Sequence, residues 1–311
     1  MSEFFSNQRQ SSWTSQKRPF PQRRAGPGPS RPVQSCILAA LAVPMPLAAP
    51  VFLELFAGSA RLSRAIANEG WLVLRWDLLD GPKYDLELVR NRQLIRGWIR
   101  AGHVRGWHAG FPCQSFSRAR DRPGGPPRLR SAAYPKGLPD LAPHNVVKVK
   151  CGNLLLQFCV GLALLSILQS VPFTLENPEL SYAWEMPSMK VLLGKPGMRR
   201  CTISYCMFGA PWRKNTAFVA YLVPLDRLEK FRCTGRVCDR TGLAHQRLEG
   251  QRACDKMFWT KFAEPYPPRL CQLLAASFID ESARARCGEF VRLTAGPEQL
   301  RSFGRDSCIA V

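Results

Sequence analysis

The chain has 311 residues, 46% of them hydrophobic, and its 44 lysines and arginines against 23 acidic residues give a formal net charge of +21. That length accommodates one sizeable α/β domain with appendages or two small domains, and the charge makes a polyanion the expected partner, nucleic acid ahead of an acidic membrane surface. The twelve cysteines sit in a chain too long and apolar to need staples, which excludes a disulfide-framework reading and favours a reducing compartment.

Residues 1–48 are read as a leader. Its first 34 residues are rich in Ser, Gln, Arg and Pro with little aliphatic content, the composition of a disordered basic tail. The uncharged stretch from Cys36 to Leu53 is broken by Pro44, Pro46 and Pro50 and is no membrane helix. The catalytic core is placed at 49–225. Val51–Phe56 reads as a buried strand and Ser59–Glu69 as a helix closed by Gly70. Trp71–Trp76 is the next strand, Leu86–Ala101 a helix ending at Gly102, and Val104–Ala109 a short strand. Between Arg118 and Val146 lies a Pro/Gly/Arg-rich loop, read as a mobile basic lid that meets phosphates. The apolar run from Cys151 to Leu175 carries Asn153, Gln157, Ser166, Gln169, Ser170 and Pro172. It is read as a buried helix, Val147–Ser170, feeding a buried strand, Pro172–Leu175, rather than as a membrane span. Ser204–Met207 and Thr216–Val223 are predicted as later strands. Alternation of this kind predicts a doubly wound, mostly parallel sheet.

Segment 226–261 holds Cys233, Cys238 and His245 at short spacing, with Cys254 beyond, a pattern able to hold structural zinc. Cys206 or Cys201 is an alternative fourth ligand. Segment 262–281 is read as a closing helix of the core, and 282–311 as a tail without readable function.

Two blocks carry chemistry. Gly110-Phe111-Pro112-Cys113-Gln114-Ser115-Phe116-Ser117 places a cysteine on a strand-to-loop switch, where an exposed thiol biased towards thiolate would be a nucleophile. Glu176, followed by Asn177 and Pro178, puts a carboxyl at the end of an apolar strand, an acid on the same sheet edge. A third block, Phe56-Ala57-Gly58-Ser59-Ala60, lets the backbone pass close to a ligand at the end of the first strand. Asp77, about 20 residues on, is placed to accept from ribose hydroxyls.

This order and spacing resembles the cytosine-C5 DNA methyltransferase family, over roughly residues 50–280, as a compact and divergent member. The cysteine block matches the family's catalytic signature almost letter for letter, and Glu176-Asn177-Pro178 stands where the family reads Glu-Asn-Val. The resemblance implies a class I, Rossmann-like S-adenosylmethionine-dependent fold. It places the cofactor at Phe56, Gly58, Ala60, Asp77, Leu78 and Asp85, with Asp85 at the adenine edge. It implies methyl transfer to C5 of cytosine: Cys113 attacks C6, Glu176 holds N3 and N4, and Lys214 or Arg213 supports the base carbonyl. Pro112, Gln114, Ser115 and Asn177 line the closing loop and its surroundings.

The chain departs from the family at three points. Ala60 replaces a glycine of Phe-x-Gly-x-Gly. Trp212-Arg213-Lys214 stands where Gln-x-Arg-x-Arg is usual, and Lys offers a point charge instead of a bidentate fork. Arg292-Leu293-Thr294 falls after the closing helix, in the wrong order for the family's Arg-x-Leu-Thr block. The segment that carries target recognition in the family is reduced here to 226–261. Duplex DNA is the expected substrate. The alternatives are folded RNA, as in the tRNA-methylating branch, and a non-catalytic nucleic-acid-binding relic. The implied location is the nucleus in a eukaryote and the cytoplasm otherwise, with neither secretion nor membrane insertion.

Overall fold

The computed structural model describes residues 37–38, 51–123, 125–252 and 254–279; the rest of the predicted leader and the tail lie outside the described residues. The chain builds a seven-stranded sheet. Its strands are β1 (Ile37–Leu38), β2 (Val51–Leu55), β3 (Leu72–Trp76), β4 (Gly106–Gly110), β5 (Phe173–Pro178), β6 (Met198–Ser204) and β7 (Asn215–Tyr221), in spatial order β1-β3-β2-β4-β5-β7-β6. β1 to β5 run parallel, and β7 enters antiparallel between β5 and β6. The order reverses at β2, whose neighbours are β3 and β4, so the carboxyl ends of β2 and β4 flank the crevice where such sheets bind ligands. Ile37–Leu38, assigned above to the leader, pairs instead with Val73–Leu74 at the sheet edge.

Helices cover both faces. They are α1 (Arg61–Asn68), α2 (Val89–Arg100), α3 (Pro143–Leu168), α4 (Pro187–Leu193), two single turns α5 (Asp226–Glu229) and α6 (Trp259–Phe262), and α7 (Pro268–Ile279). Strand alternation sorts the core into two layers. Leu53, Leu55, Trp107, Ala109, Phe173 and Leu175 pack with α2, α3 and α4. Phe52, Val73, Phe218 and Ala220 pack with α1 and α7 on the other face, where Phe52 meets Phe278 edge-on at 4.9 Å. α3 is long and apolar enough to cross a membrane by composition. In this fold it runs along the sheet, burying Leu155, Leu156, Phe158, Cys159, Leu162 and Ala163 in the first layer before the chain enters β5.

The predicted strands and helices appear with ends shifted by a few residues, with one exception. Ser204–Met207 is not a strand. β6 ends at Ser204, and Tyr205–Phe208 is a 3-10 turn closed by Gly209 in a left-handed conformation (φ 99°). The run Tyr-Cys-Met-Phe looks extended by composition. The glycine cap and the Gly209 N–H donation to the Cys206 carbonyl make it a turn.

One buried hydrogen bond locks α3 to the sheet. Trp107 Nε1 donates to Ser166 Oγ at 2.8 Å, and Ser166 Oγ donates to the Leu162 carbonyl at 2.8 Å. Ser166→Ala removes the acceptor and leaves the indole N–H unpaired in a closed layer. The expected loss is about 1–3 kcal/mol of unfolding free energy, measured by urea denaturation, and an unchanged midpoint would show that the bond contributes nothing.

Candidate active site

The β2–α1 turn is built from three left-handed residues, Phe56 (φ 57°), Gly58 (φ 49°) and Ala60 (φ 54°). Gly58 N donates to Asp77 Oδ2 at 2.8 Å, and the other Asp77 oxygen accepts from Leu79 N at 2.8 Å. The acid at the end of β3 is thereby clamped against the turn at the end of β2. A Cβ at Gly58 would meet nothing within 4 Å, so the turn faces open space. Leu78 beside it is 59% exposed. Asp85 lies farther along this loop, its Oδ1 accepting from Glu87 N at 2.7 Å.

α1 has no side-chain cap of its own at Ala60. Glu54, in the middle of β2, reaches up instead: its Oε2 accepts from Ser63 N at 2.7 Å and also from Ser63 Oγ. A strand carboxyl thus satisfies a helix-terminal N–H from below. Burial pushes this carboxyl up to about 7, with the Ser63 bonds pulling the other way.

At the ends of β4 and β5 the two chemical blocks meet. Glu176 is buried at the end of β5. Its Oε1 accepts from Thr216 Oγ1 on β7, and its Oε2 accepts from the Tyr266 hydroxyl at 3.1 Å. The same hydroxyl lies 2.9 Å from His108 Nε2, and His108 Nδ1 lies 2.7 Å from Thr174 Oγ1. Burial lowers His108 to about 3, so the ring is neutral. Gly110 makes room for this arrangement, because a Cβ there would fall on the Tyr266 hydroxyl. Asn177 Nδ2 donates to the Phe111 carbonyl at 2.8 Å and ties the end of β5 to the start of the cysteine loop.

Cys113 is half-buried, between exposed Pro112 and exposed Gln114. Burial pushes its thiol above the ordinary value; the Lys214 ammonium pulls it down and the Glu176 carboxylate pushes it up. The expected bias towards thiolate is therefore not present in this state: desolvation outweighs the nearby cation. Lys214 and Glu176 are nonetheless each close enough to act on Cys113. Lys214 Nζ donates to the Ala263 carbonyl at 3.0 Å and lies 4.6 Å above the Tyr205 ring. Arg213 does not join them. It is exposed, and its Nη1 donates to the Thr234 and Gly235 carbonyls at 3.2 and 2.8 Å. Of the two adjacent cations, Lys214 is the one whose charge reaches Cys113, while Arg213 is engaged with the loop carbonyls.

The loop after Cys113 is folded onto the domain rather than free. Arg130 is buried, and its guanidinium makes five donations: to the Ser115 carbonyl and Oγ (both 3.0 Å), the Pro135 carbonyl (2.6 Å), Asn153 Oδ1 (2.7 Å) and the Val149 carbonyl (3.3 Å). It also stacks on Phe116 at 3.8 Å. Gly152 of α3 leaves the space that Ser115 and this guanidinium occupy. Other arginines of the loop have protein partners: Arg118 with Glu185, Arg120 with the Gln114 carbonyl, Arg122 with Glu249 and Arg128 with Asp121. A lid that moves to meet phosphates would have to give these up.

His108, Thr174, Thr216, Glu54 and Arg130 escape sequence reasoning, since each reads as an ordinary strand or loop residue. Tyr266 is visible only as the start of the closing helix. Cys254, the expected fourth member of the Cys/His set, is exposed and lies outside the cluster that forms; Cys206, one of the alternatives, joins Cys233, Cys238 and His245 there.

No family model matches the chain, and no curated protein matches it. Solved structures do. An Entamoeba histolytica methyltransferase, EhMeth, aligns at 12% identity and a TM-score of 0.34, over 65% of this chain and 58% of that one. The S. pombe Dnmt2 methyltransferase aligns at 15% and 0.32, over 55% and 50%. A triple mutant of Spodoptera frugiperda DNMT2 aligns at 14% and 0.33, over 64% and 56%. The chain thus spans about half the length of the solved structures it matches. Its own strand order and helix layers make it the expected Rossmann-like α/β fold of the methyltransferase type.

Two outcomes are expected from the site's geometry. Arg130→Lys keeps the charge and loses the fork, leaving buried carbonyls without donors. It should destabilise the domain by about 3 kcal/mol or more and expose 118–146 to limited proteolysis, and wild-type resistance would refute the locking role. Alkylation of Cys113 by iodoacetamide, followed on its own peptide by mass spectrometry, should still accelerate above pH 9. Lys214→Met should move the profile to higher pH; a shift to lower pH would show that Lys214 does not act on the thiol.

Proposed function

We propose that the chain transfers a methyl group from S-adenosylmethionine to C5 of cytosine in DNA. The observation that carries the proposal is the convergence of Cys113, Glu176 and Lys214 at one sheet edge, beside the clamped Gly58–Asp77 turn. The turn fits the cofactor. Open space at Gly58, a half-exposed Asp77 for the ribose hydroxyls and an exposed Leu78 for the adenine face are all present. When bound, the cofactor supplies an electrophilic methyl on sulfonium.

The residues divide the work as follows. Cytosine C5 is a weak nucleophile. The Cys113 thiolate adds to C6, the electron pair of the C5–C6 bond moves to C5, and C5 takes the methyl group as its bond to the sulfonium sulfur breaks, the pair staying on sulfur as a neutral thioether. Loss of the C5 proton and elimination of the cysteine sulfur restore the aromatic ring. Glu176 ion-pairs a protonated N3 and accepts from the N4 amino group, which makes C6 more electrophilic, its carboxylate fixed by the Thr216 and Tyr266 hydroxyls. Lys214 supports the base carbonyl and favours the thiolate. A base stacked in a duplex cannot reach this buried pair, so the target has to be flipped out or single-stranded. The charge of +21 supplies affinity for the backbone and carries no sequence information.

Trapping on duplex DNA containing 5-fluorocytosine tests the reading, because fluorine blocks the final proton loss. A cofactor-dependent covalent adduct with the wild type that is absent in Cys113→Ala is the expected result. An adduct on folded RNA alone would move the substrate to RNA. Salt-sensitive DNA binding without any adduct would make the chain a binding relic.

A further inference from the structure

We infer that Cys206, Cys233, Cys238 and His245 form a structural zinc site that fastens the 226–261 segment to the sheet edge bearing Lys214. This inference concerns a site separate from the cysteine loop, and it stands whether or not the chain transfers methyl groups.

The four side chains come from two places. Cys206 sits on the 3-10 turn after β6, and the other three lie on the loop between α5 and α6. Their ligand atoms all fall within 4.8 Å of one another. Tetrahedral zinc, with Zn–S about 2.3 Å and Zn–N about 2.0–2.1 Å, places its ligand atoms roughly 3.5–3.8 Å apart. The cluster therefore needs to contract by about an ångström at most, and His245 Nε2 already lies 3.4 Å from Cys233 Sγ.

The surroundings are arranged as metal ligands require. His245 Nδ1 lies 3.2 Å from the Arg236 carbonyl. A carbonyl can only accept, so the ring proton belongs on Nδ1, and the Nε2 lone pair is left facing the three sulfurs. Asp239 N donates to Cys233 Sγ at 3.5 Å. The Asp239 carboxylate accepts from Thr234 N (2.9 Å) and Gly235 N (3.2 Å) and sets the turn that follows Cys233. Gly235 is required there, since a Cβ would lie 2.7 Å from both Asp239 Oδ1 and the Val237 carbonyl. Cys238 is pinned by its own N–H to the Leu243 carbonyl at 2.8 Å.

The alternative is that the sulfurs are small buried hydrophobes. The packing speaks against it. Among the described residues the three cysteines form a cluster of their own, with Met207 as its partly buried apolar neighbour. Three sulfurs and an imidazole facing one another make a poor core and a complete ligand set. The fourth ligand is also drawn from a part of the chain 27 residues before Cys233, as closure across a segment requires.

Around this cluster the loop is tied to the segment that carries Lys214, just before β7. Arg213 donates to the Thr234 and Gly235 carbonyls, Gln246 N donates to the Pro211 carbonyl at 2.9 Å, and Arg240 Nε donates to the Cys206 carbonyl at 2.9 Å. Each of these bonds is exposed or half-exposed on a segment with little apolar burial, and a metal would supply the missing rigidity.

The test uses the full chain purified without chelators, dialysed over chelating resin and assayed by elemental mass spectrometry and Co²⁺ titration. Wild type and Cys254→Ser should each hold one equivalent of zinc. Co²⁺ should give the intense visible bands of tetrahedral thiolate coordination with near-ultraviolet sulfur-to-metal charge transfer. Loss of a ligand costs no less than loss of an outer-shell partner, so Cys206→Ser should bind at least about 10–100-fold more weakly. A wild-type chain without zinc and without a tetrahedral Co²⁺ spectrum would overturn the proposal. So would Cys206→Ser binding as tightly as wild type, or Cys254→Ser losing the metal instead. If Cys206→Ser does not fold, the wild-type Co²⁺ spectrum decides the question alone. The 5-fluorocytosine adduct is read separately, so a failure of either reading leaves the other measurable.

Discussion

The Tyr266 hydroxyl is the point at which the site closes. It has one proton, which goes to Glu176 Oε2. Its oxygen must then accept from His108 Nε2, which leaves Nδ1 to accept from the Thr174 hydroxyl. The proton order is thus fixed along one line, Thr174 to His108 to Tyr266 to Glu176, ending on the carboxylate. Neutrality of His108 follows from burial, and a charged ring would have no lone pair for Thr174. Two strands, β4 and β5, and the closing segment are therefore held in one register by a chain of buried polar groups in which every donor has a defined acceptor.

This line also explains several residues that look unrelated. Glu54, His108 and Thr174 are direct neighbours across β2, β4 and β5, a polar row under α1 and α7 in an otherwise apolar sheet. Glu54 belongs to it because α1 needs an acceptor for Ser63 N. Gly110 belongs to it because any side chain would displace the Tyr266 hydroxyl. Arg61 Nη1 donates to the Tyr266 carbonyl at 2.9 Å and brings the start of α1 to the same residue. The closing helix is thus anchored through Tyr266 to the first helix and to the catalytic strands together.

The sheet and the two chemical blocks were legible because they are local. Val51–Leu55 with the Gly58 turn, Asp77, the Pro112–Ser117 block and Glu176-Asn177 each announce themselves within a few residues. The rest depends on pairings that composition does not encode. His108 and Tyr266 are 158 positions apart, and Glu176 and Tyr266 are 90 apart. His108 in Gly-Trp-His-Ala-Gly reads as a strand residue and nothing more. Arg130 belongs to a run of arginines that looks solvated, and only the space left by Gly152 turns it into a buried clamp. Arg213 and Lys214 are adjacent, so spacing could not choose between them; their partners do, Arg213 on the Thr234 and Gly235 carbonyls and Lys214 on the Ala263 carbonyl. The fourth member of the Cys/His cluster went to Cys254 on proximity in sequence, whereas the 3-10 turn after β6 delivers Cys206.

The electrostatics of Cys113 connect these parts to one another. Burial raises the thiol, and the leading charge that opposes this is Lys214. On the proposed reaction, nucleophile activation therefore depends on where one flexible ammonium is held. That position is set by the Ala263 carbonyl just before Tyr266 on one side and by Tyr205 just before Cys206 on the other. Tyr205 N donates to the Lys214 carbonyl at 3.0 Å, which fixes the backbone as well. The polar line through Tyr266 and the cluster through Cys206 thus converge on the same lysine from opposite ends. A bidentate arginine would carry its own orientation; a lysine, as a point charge on a mobile stem, takes it from its neighbours. A lysine at this position and the sulfur cluster beside it are, on this argument, parts of one arrangement.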